Sequence, residues 1–124
     1  RVAEIRAFVP EQVRIGISGD GAAAAGLLGG CDTWFTAVGG TLPRAMQAIS
    51  RLALAGDDTA LAEAARLQPL WDLFVLHGSA RVTATIAEHL GLVTAPSLPR
   101  PLLGLDGADR QRVVEVVERL GLRD

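Results

Sequence analysis

One stretch, Val13 to Pro43 (VRIGISGDGAAAAGLLGGCDTWFTAVGGTLP), limits what this chain can fold into more than any other. An apolar, β-branched run leads into Ser18-Gly19-Asp20. An alanine-rich segment follows and ends at Gly29-Gly30, and a second β-prone run then leads into Gly39-Gly40. The pattern reads as strand, short helix, strand. Two strands joined by one helix form a βαβ unit, whose strands run parallel. The first run, Val13–Ile17, carries apolar residues on both faces at places, which suits a sheet covered on both sides. The second, Thr33–Val38, is rich in β-branched and aromatic residues. The class is therefore α/β.

Around this unit the spacing predicts helices. Val2, Ile5 and Val9 recur at helical intervals, so Arg1 falls inside an amphipathic helix that Pro10 stops. That start, with Arg in place of Met, is what a piece of a longer protein would have. After Gly39-Gly40, Thr41 is positioned to cap a helix that takes Pro43 in its first turn, buries Met46, Ile49 and Ala53, and stops at Gly56. Asp57 or Asp58 caps the next, whose apolar stripe is Leu67, Leu70, Trp71 and Phe74 and in which Pro69 predicts a kink. Gly78 breaks that helix and Ser79 caps another, ending near Leu90. Pro96, Pro99 and Pro101 hold an extended connection, and Asp106 caps a last helix whose inner face is Val113, Val116, Val117 and Leu120. The order is part of a helix, β, α, β, then about four helices. Two parallel strands do not make a stable sheet alone, so the missing strands are expected from preceding sequence or another chain.

Composition narrows the function. A chain of 124 residues, 49% hydrophobic and 21% charged, is globular and amounts to one domain or part of one. A net charge of −2 with interspersed signs gives no case for nucleic acid or an anionic membrane, and no apolar run reaches the roughly 18 residues of a membrane span. The single cysteine, Cys31, excludes an internal disulfide and a multi-cysteine metal site, and makes a reducing, cytoplasmic setting the default. All 12 Lys/Arg positions are arginine, and Asn and Tyr are absent too, a bias that a G+C-rich genome explains. Its chemical consequence is firm: no residue here can form a lysine Schiff base, and none can act as a tyrosine acid or base. His77 and His89 are expected on helix surfaces, and Cys31 at a packed helix-to-strand turn.

In order and spacing, RVAEIR, VRIGISGD, LLGGCDTWFTAVGG and the trailing LGLV…SLPRPLLGLD…VVEVVERLGL resemble the last part of the dihydrodipicolinate synthase / N-acetylneuraminate lyase superfamily. The resemblance covers essentially the whole chain. It implies the C-terminal part of a (β/α)₈ TIM barrel, with Val13–Ser18 as strand seven and Thr33–Val38 as strand eight, followed by a C-terminal helical extension. Residues 1–55 would close the barrel and residues 56–124 would form the extension.

The family's chemistry is that of class I aldolases and related lyases acting on pyruvate or other 2-oxo acids, through a Schiff base on a strand-six lysine. By that resemblance the lysine and a proton-relaying tyrosine precede Arg1, so this segment holds no catalytic residue, needs no cofactor or metal, and is inert alone. It would supply substrate-binding wall: Gly19, where a side chain would intrude on the 2-oxo acid, Phe35 and Gly39. A small-molecule 2-oxo acid and further copies of the same chain are the implied partners. Two departures weigh against lysine biosynthesis. Val38-Gly39-Gly40 stands where synthases carry a Thr-Ala-Asn-like segment, and Gly78–Thr83 replaces an Asn-Pro-x-Pro-Val-Lys helix start. They favour another aldehyde or sugar acid as second substrate. The alternatives are a 2-keto sugar acid dehydratase or aldolase of the same superfamily, and a non-catalytic helical oligomerisation module.

Overall fold

A computed structural model describes residues 1–123 and confirms the α/β order with a parallel strand pair. Helix α1 (Val2–Arg6) precedes β1 (Gly16–Ser18), a single 3₁₀ turn (Asp20–Ala22), α2 (Ala23–Leu28) and β2 (Thr33–Phe35). Five helices follow: α3 (Pro43–Leu54), α4 (Thr59–Arg66), α5 (Gln68–His77), α6 (Ser79–His89) and α7 (Gly107–Leu120).

The strands are shorter than their β-prone runs. Only Gly16–Thr33, Ile17–Trp34 and Ser18–Phe35 stand in register. Beyond Phe35 the backbone leaves the ladder because other acceptors take its N–H groups. Ala37 N–H donates to the Asp20 carboxylate and Val38 N–H to Thr36 Oγ1. Before Gly16, Ile15 N–H donates to the Asp32 side chain at 2.7 Å, while Asp32 N–H donates back to the Ile15 carbonyl at 2.8 Å. Each end of the pair is thus closed by a carboxylate.

Helix α2 covers one face of the pair and is itself covered by α3 and α4. Its contact with β1 depends on Gly26. A Cβ there would lie 2.7 Å from Ile17 Cγ1 and 2.9 Å from Ile17 Cβ, inside the distance real carbon atoms tolerate. The other sheet face, carrying Gly16, Ser18, Thr33 and Phe35, is exposed.

The core runs without a break from Ala24 of α2 to Leu122, and its centre is Leu42, Ile49, Leu67, Leu70, Val82, Ile86, Val113 and Val117, all fully buried. Each such aliphatic side chain contributes about 1.5–3 kcal/mol of transfer free energy. The periodic faces read from the sequence are the buried ones: Met46, Ile49 and Ala53 in α3, and Val113, Val116 and Val117 in α7.

Three expectations change. The helix predicted to kink at Pro69 is two helices, α4 and α5, separated at Leu67, with Pro69 in the first turn of α5. Proline lacks a donor that a first turn does not need, so the chain restarts there instead of bending. Thr41 is not a cap: Leu42 holds that position, and among the described residues no side-chain hydrogen bond caps α3. Ser79 begins α6 and likewise caps nothing; Gly78, at φ +84°, makes the corner. Asp57 does serve α4, accepting from Thr59 N–H at 2.9 Å and Thr59 Oγ1 at 2.6 Å.

The long proline connection is held by side chains. Glu88 of α6, nearly buried, accepts from Ser97 N–H and Oγ, both at 2.8 Å, and from Arg110 of α7 at 2.6 Å. Arg81 donates to the carbonyls of Leu103 and Gly104.

Two outcomes follow from this packing. Gly26→Ala gains about 1 kcal/mol of helix propensity but overpacks Ile17 at about 1–3 kcal/mol, so it should lower stability in denaturant unfolding. Equal or higher stability would show that α2 can lift off β1. The second concerns acid. Donation from Ile15 N–H, then from Arg6 and Arg14, pulls the Asp32 carboxyl down from 3.8 to about 2. A lowered folded-state pKa stabilises the fold above about pH 4, and that stabilisation is lost as pH falls toward about 2. The Tm gap between wild type and Asp32→Asn should therefore be widest at neutral pH and close across that window; a gap independent of pH would contradict it.

Candidate functional site

At the carboxyl ends of β1 and β2 a hollow of about 520 Å³ opens. Its floor is the strand-to-helix corner Ser18, Gly19, Asp20, Gly21 and Ala22, with Phe35 and Ala37 beside it from β2 and its exit. The opposite wall is α5 with the first residue of α6, through Gln68, Trp71, Phe74, Val75 and Ser79. Ligand sites in α/β folds gather at such strand ends, because the loops there diverge.

The corner has a definite build. Gly19 sits at φ +101°, where a side chain would be strained, and a Cβ there would meet no atom within 4 Å. The backbone conformation, not crowding, therefore calls for glycine here. Asp20 is only 5% exposed. It accepts from Trp34 Nε1 at 3.0 Å and from Ala37 N–H at 3.2 Å, so it joins the end of β1 to the exit of β2. A carboxylate occupied in this way positions the rim and leaves little capacity for substrate. Phe35 is 67% exposed, and its ring lies over Gly16, where a Cβ would come within 2.5 Å of it.

On the far wall, Trp71 donates its Nε1 hydrogen to the Ala64 carbonyl at 3.0 Å and meets Phe74 edge-on, with ring centroids 5.5 Å apart. This fixes α5 as a rigid apolar wall.

Of the residues singled out in the sequence, Gly19 and Phe35 meet in this hollow. Gly39 is not among its lining residues; it packs in the turn against Thr36, whose Cγ2 a Cβ at position 39 would overlap. The α5 wall could not be read from the sequence, since nothing local to Gln68–Ser79 signals a hollow formed by a segment so much earlier in the chain. Cys31 is buried, as its turn position suggests. His77 departs from expectation: its side chain is only 10% exposed, and Nε2 has no hydrogen-bond partner among the described residues, with Asp109 Oδ1 the near carboxylate at 3.8 Å. His89 is better served, 2.7 Å from Glu118. Among the described residues, no group of three or more His, Cys, Asp or Glu could hold a metal ion, and no helix is long and apolar enough to cross a membrane.

A parallel strand pair with a helix on one face and a hollow at its carboxyl ends is a segment of an α/β protein built on βα units. Solved structures make the class specific. The chain superposes on a dihydrodipicolinate synthase from Agrobacterium tumefaciens with a TM-score of 0.89 and 40% identity, covering 96% of this chain and 40% of that one. It matches a dihydrodipicolinate synthase from Aquifex aeolicus at a TM-score of 0.87 and 19% identity, covering 98% and 42% of the two chains. A Sulfolobus 2-keto-3-deoxygluconate aldolase shares the fold at 0.71 and 19% identity, covering 86% and 36%. Neither a protein-family model nor a curated protein gives a match. The chain is of the dihydrodipicolinate synthase / N-acetylneuraminate lyase superfamily, and it spans about two-fifths of the length of the structures it matches.

Asp20→Ala should leave the Trp34 indole and Ala37 amide without acceptors, costing about 1–3 kcal/mol, and should alter Trp34 fluorescence in the native baseline. An unchanged Tm and spectrum would show that water replaces the carboxylate without loss.

Proposed function

We propose that this chain is the C-terminal part of a Schiff-base-forming lyase or aldolase acting on pyruvate or another 2-oxo acid. In this reading β1 and β2 are barrel strands seven and eight, residues 1–55 close the barrel, and residues 56–124 form the helical extension. The observation that carries it is the 40% identity to a dihydrodipicolinate synthase over nearly the whole chain, with the hollow lying at the strand ends.

The division of labour follows from the residues. A Schiff base forms when an amine adds to the 2-oxo carbonyl and water leaves; the iminium then draws electrons from the neighbouring carbon. With no lysine or tyrosine in 124 residues, this segment contributes shape and leaves the reaction to groups elsewhere in the protein. Gly19 keeps the corner open at the end of strand seven and Phe35 walls it from strand eight. Gly39 has a supporting place, letting the turn after Phe35 close tightly on Thr36. Asp20 holds the two strand ends at a fixed separation. Further copies of the chain are the expected partners and the cytoplasm the expected setting.

Treating the full-length protein with pyruvate and borohydride tests the reading. Hydride reduces the iminium to a stable secondary amine, so the intact mass should rise and peptide mapping should place the adduct on a lysine outside these residues. The 124-residue chain should give no lysine adduct. A full-length protein that gives none either would remove the Schiff-base reading.

A further inference from the structure

A second hollow, of about 410 Å³, lies where the start of α3, the end of α6 and the segment after α7 meet. It shares no lining residue with the strand-end hollow. Pro43, Leu90 and Leu92 give it hydrocarbon, and Thr41, His89 and Arg123 give it polar groups. No acid lines it among the described residues, whereas the strand-end hollow holds Asp20. Glu118, which is not among the lining residues, fixes two of the polar groups from outside. It takes His89 Nε2 at 2.7 Å, and Arg123 Nη2 reaches both its oxygens, at 2.7 and 2.6 Å. Those bonds, from His89 first and then Arg123, hold the Glu118 carboxyl below its ordinary range. An ionised carboxylate only accepts, so Nε2 carries the hydrogen and Nδ1 is the open position of the ring. Nδ1, the Thr41 hydroxyl, and Nε and Nη1 of Arg123 hydrogen-bond to no other described residue.

The set combines a cation that donates, a ring nitrogen that accepts when the ring is neutral, and a hydroxyl that does either. A small ligand matching it offers acceptors to Arg123 and a donor to Nδ1. Hydrogen phosphate does both: its oxygens suit the guanidinium fork, and its P–O–H donates to the Nδ1 lone pair. With a charged ring the same oxygen accepts from Nδ1–H, so the contact persists in either state. Sulfate has the same shape and no proton, and would set an oxygen lone pair against that of Nδ1. A phosphate ester loses its last proton near a pKa of about 6 and then presents the same mismatch. We infer that this hollow binds inorganic hydrogen phosphate, with Arg123, His89 and Thr41 contacting the ion and Glu118 positioning the first two. The inference stands apart from the Schiff-base reading, which gives these residues no part.

Calorimetric titration of the full-length protein tests it, with inorganic phosphate, sulfate and methyl phosphate at matched ionic strength. At about pH 8 ordinary imidazole is neutral, inorganic phosphate keeps one proton, and the other two ions keep none. The expected result is saturable phosphate binding, with sulfate and methyl phosphate weaker by roughly tenfold, the scale of leaving Nδ1 without a donor. His89→Gln keeps a donor for Glu118 and removes the Nδ1 acceptor. It should weaken phosphate by roughly tenfold and abolish the preference over sulfate. Arg123→Gln removes a charge-assisted bond common to all three ions, so each should weaken by roughly tenfold and the preference should remain. Arg123 is exposed, so this variant should fold as wild type does, and its far-UV spectrum checks that. No saturable phosphate binding, or equal affinities for the three ions in wild type, would overturn the inference. So would a phosphate preference that survives His89→Gln, or phosphate binding that Arg123→Gln leaves unchanged.

Discussion

The carboxylates at the two ends of the strand pair hold the arrangement on which everything else depends. Three residues in each strand give too few ladder bonds to fix a parallel pair. Asp32 closes the amino ends, receiving Ile15 N–H and the guanidinium groups of Arg6 and Arg14. Asp20 closes the carboxyl ends, receiving Trp34 Nε1 and Ala37 N–H. The two do different work. Asp32 lies in a partly solvated cluster of charges and ties α1 to the sheet, whereas Asp20 is buried and sets the distance between the two strand ends that floor the hollow. Move Asp20 and the mouth changes shape; move Asp32 and α1 comes away.

How much of this is legible in the sequence follows the range of the interactions. The helices carry their own signal, because burial on one face imposes a 3.6-residue period: Ile49 and Ala53, or Val113 and Val117, can be placed on inner faces from spacing alone. The parallel pair is legible too, since a small-residue helix between two β-prone runs admits little else. Strand ends are not. Thr36, Ala37 and Val38 have high or neutral β-propensity, yet the amides of Ala37 and Val38 serve Asp20 and Thr36 Oγ1 in place of a neighbouring strand. Propensity reports what a residue tolerates, and for Ala37 a hydrogen-bond partner 17 positions away decides what it does.

The candidate site is half legible for the same reason. Gly19 stands out because a glycine between a strand and a helix implies an unusual φ, and it has one. Phe35 stands out through the family resemblance. The opposing wall arises only when α5 docks on the Asp20–Ala22 turn, a contact between segments far apart in the chain. Its residues, Trp71 and Phe74, read as core, and they are partly that: Trp71 is buried and hydrogen-bonded to Ala64 while nearby Val75 is bare. His77 is misread in the opposite sense. A histidine at a helix end reads as surface, but the start of α7 lies close enough to bury its ring.

The arginine-only composition has a structural counterpart. Arginine is the cation best suited to reach several backbone carbonyls at once, through a planar fork of donors. Arg6 donates to the Val13 carbonyl as well as to Asp32, Arg66 reaches the Leu120 carbonyl across the core edge, and Arg81 gathers Leu103 and Gly104. These cations hold loops and helix ends and stand away from the hollow. The segment thus uses its positive charge to fasten its own irregular backbone, while the strand-end hollow is lined by glycine, serine, hydrocarbon, Gln68 and the hydrogen-bonded Asp20. On the proposed reading, the lysine that would form the iminium comes from another strand, and this segment supplies wall to the pocket beside it.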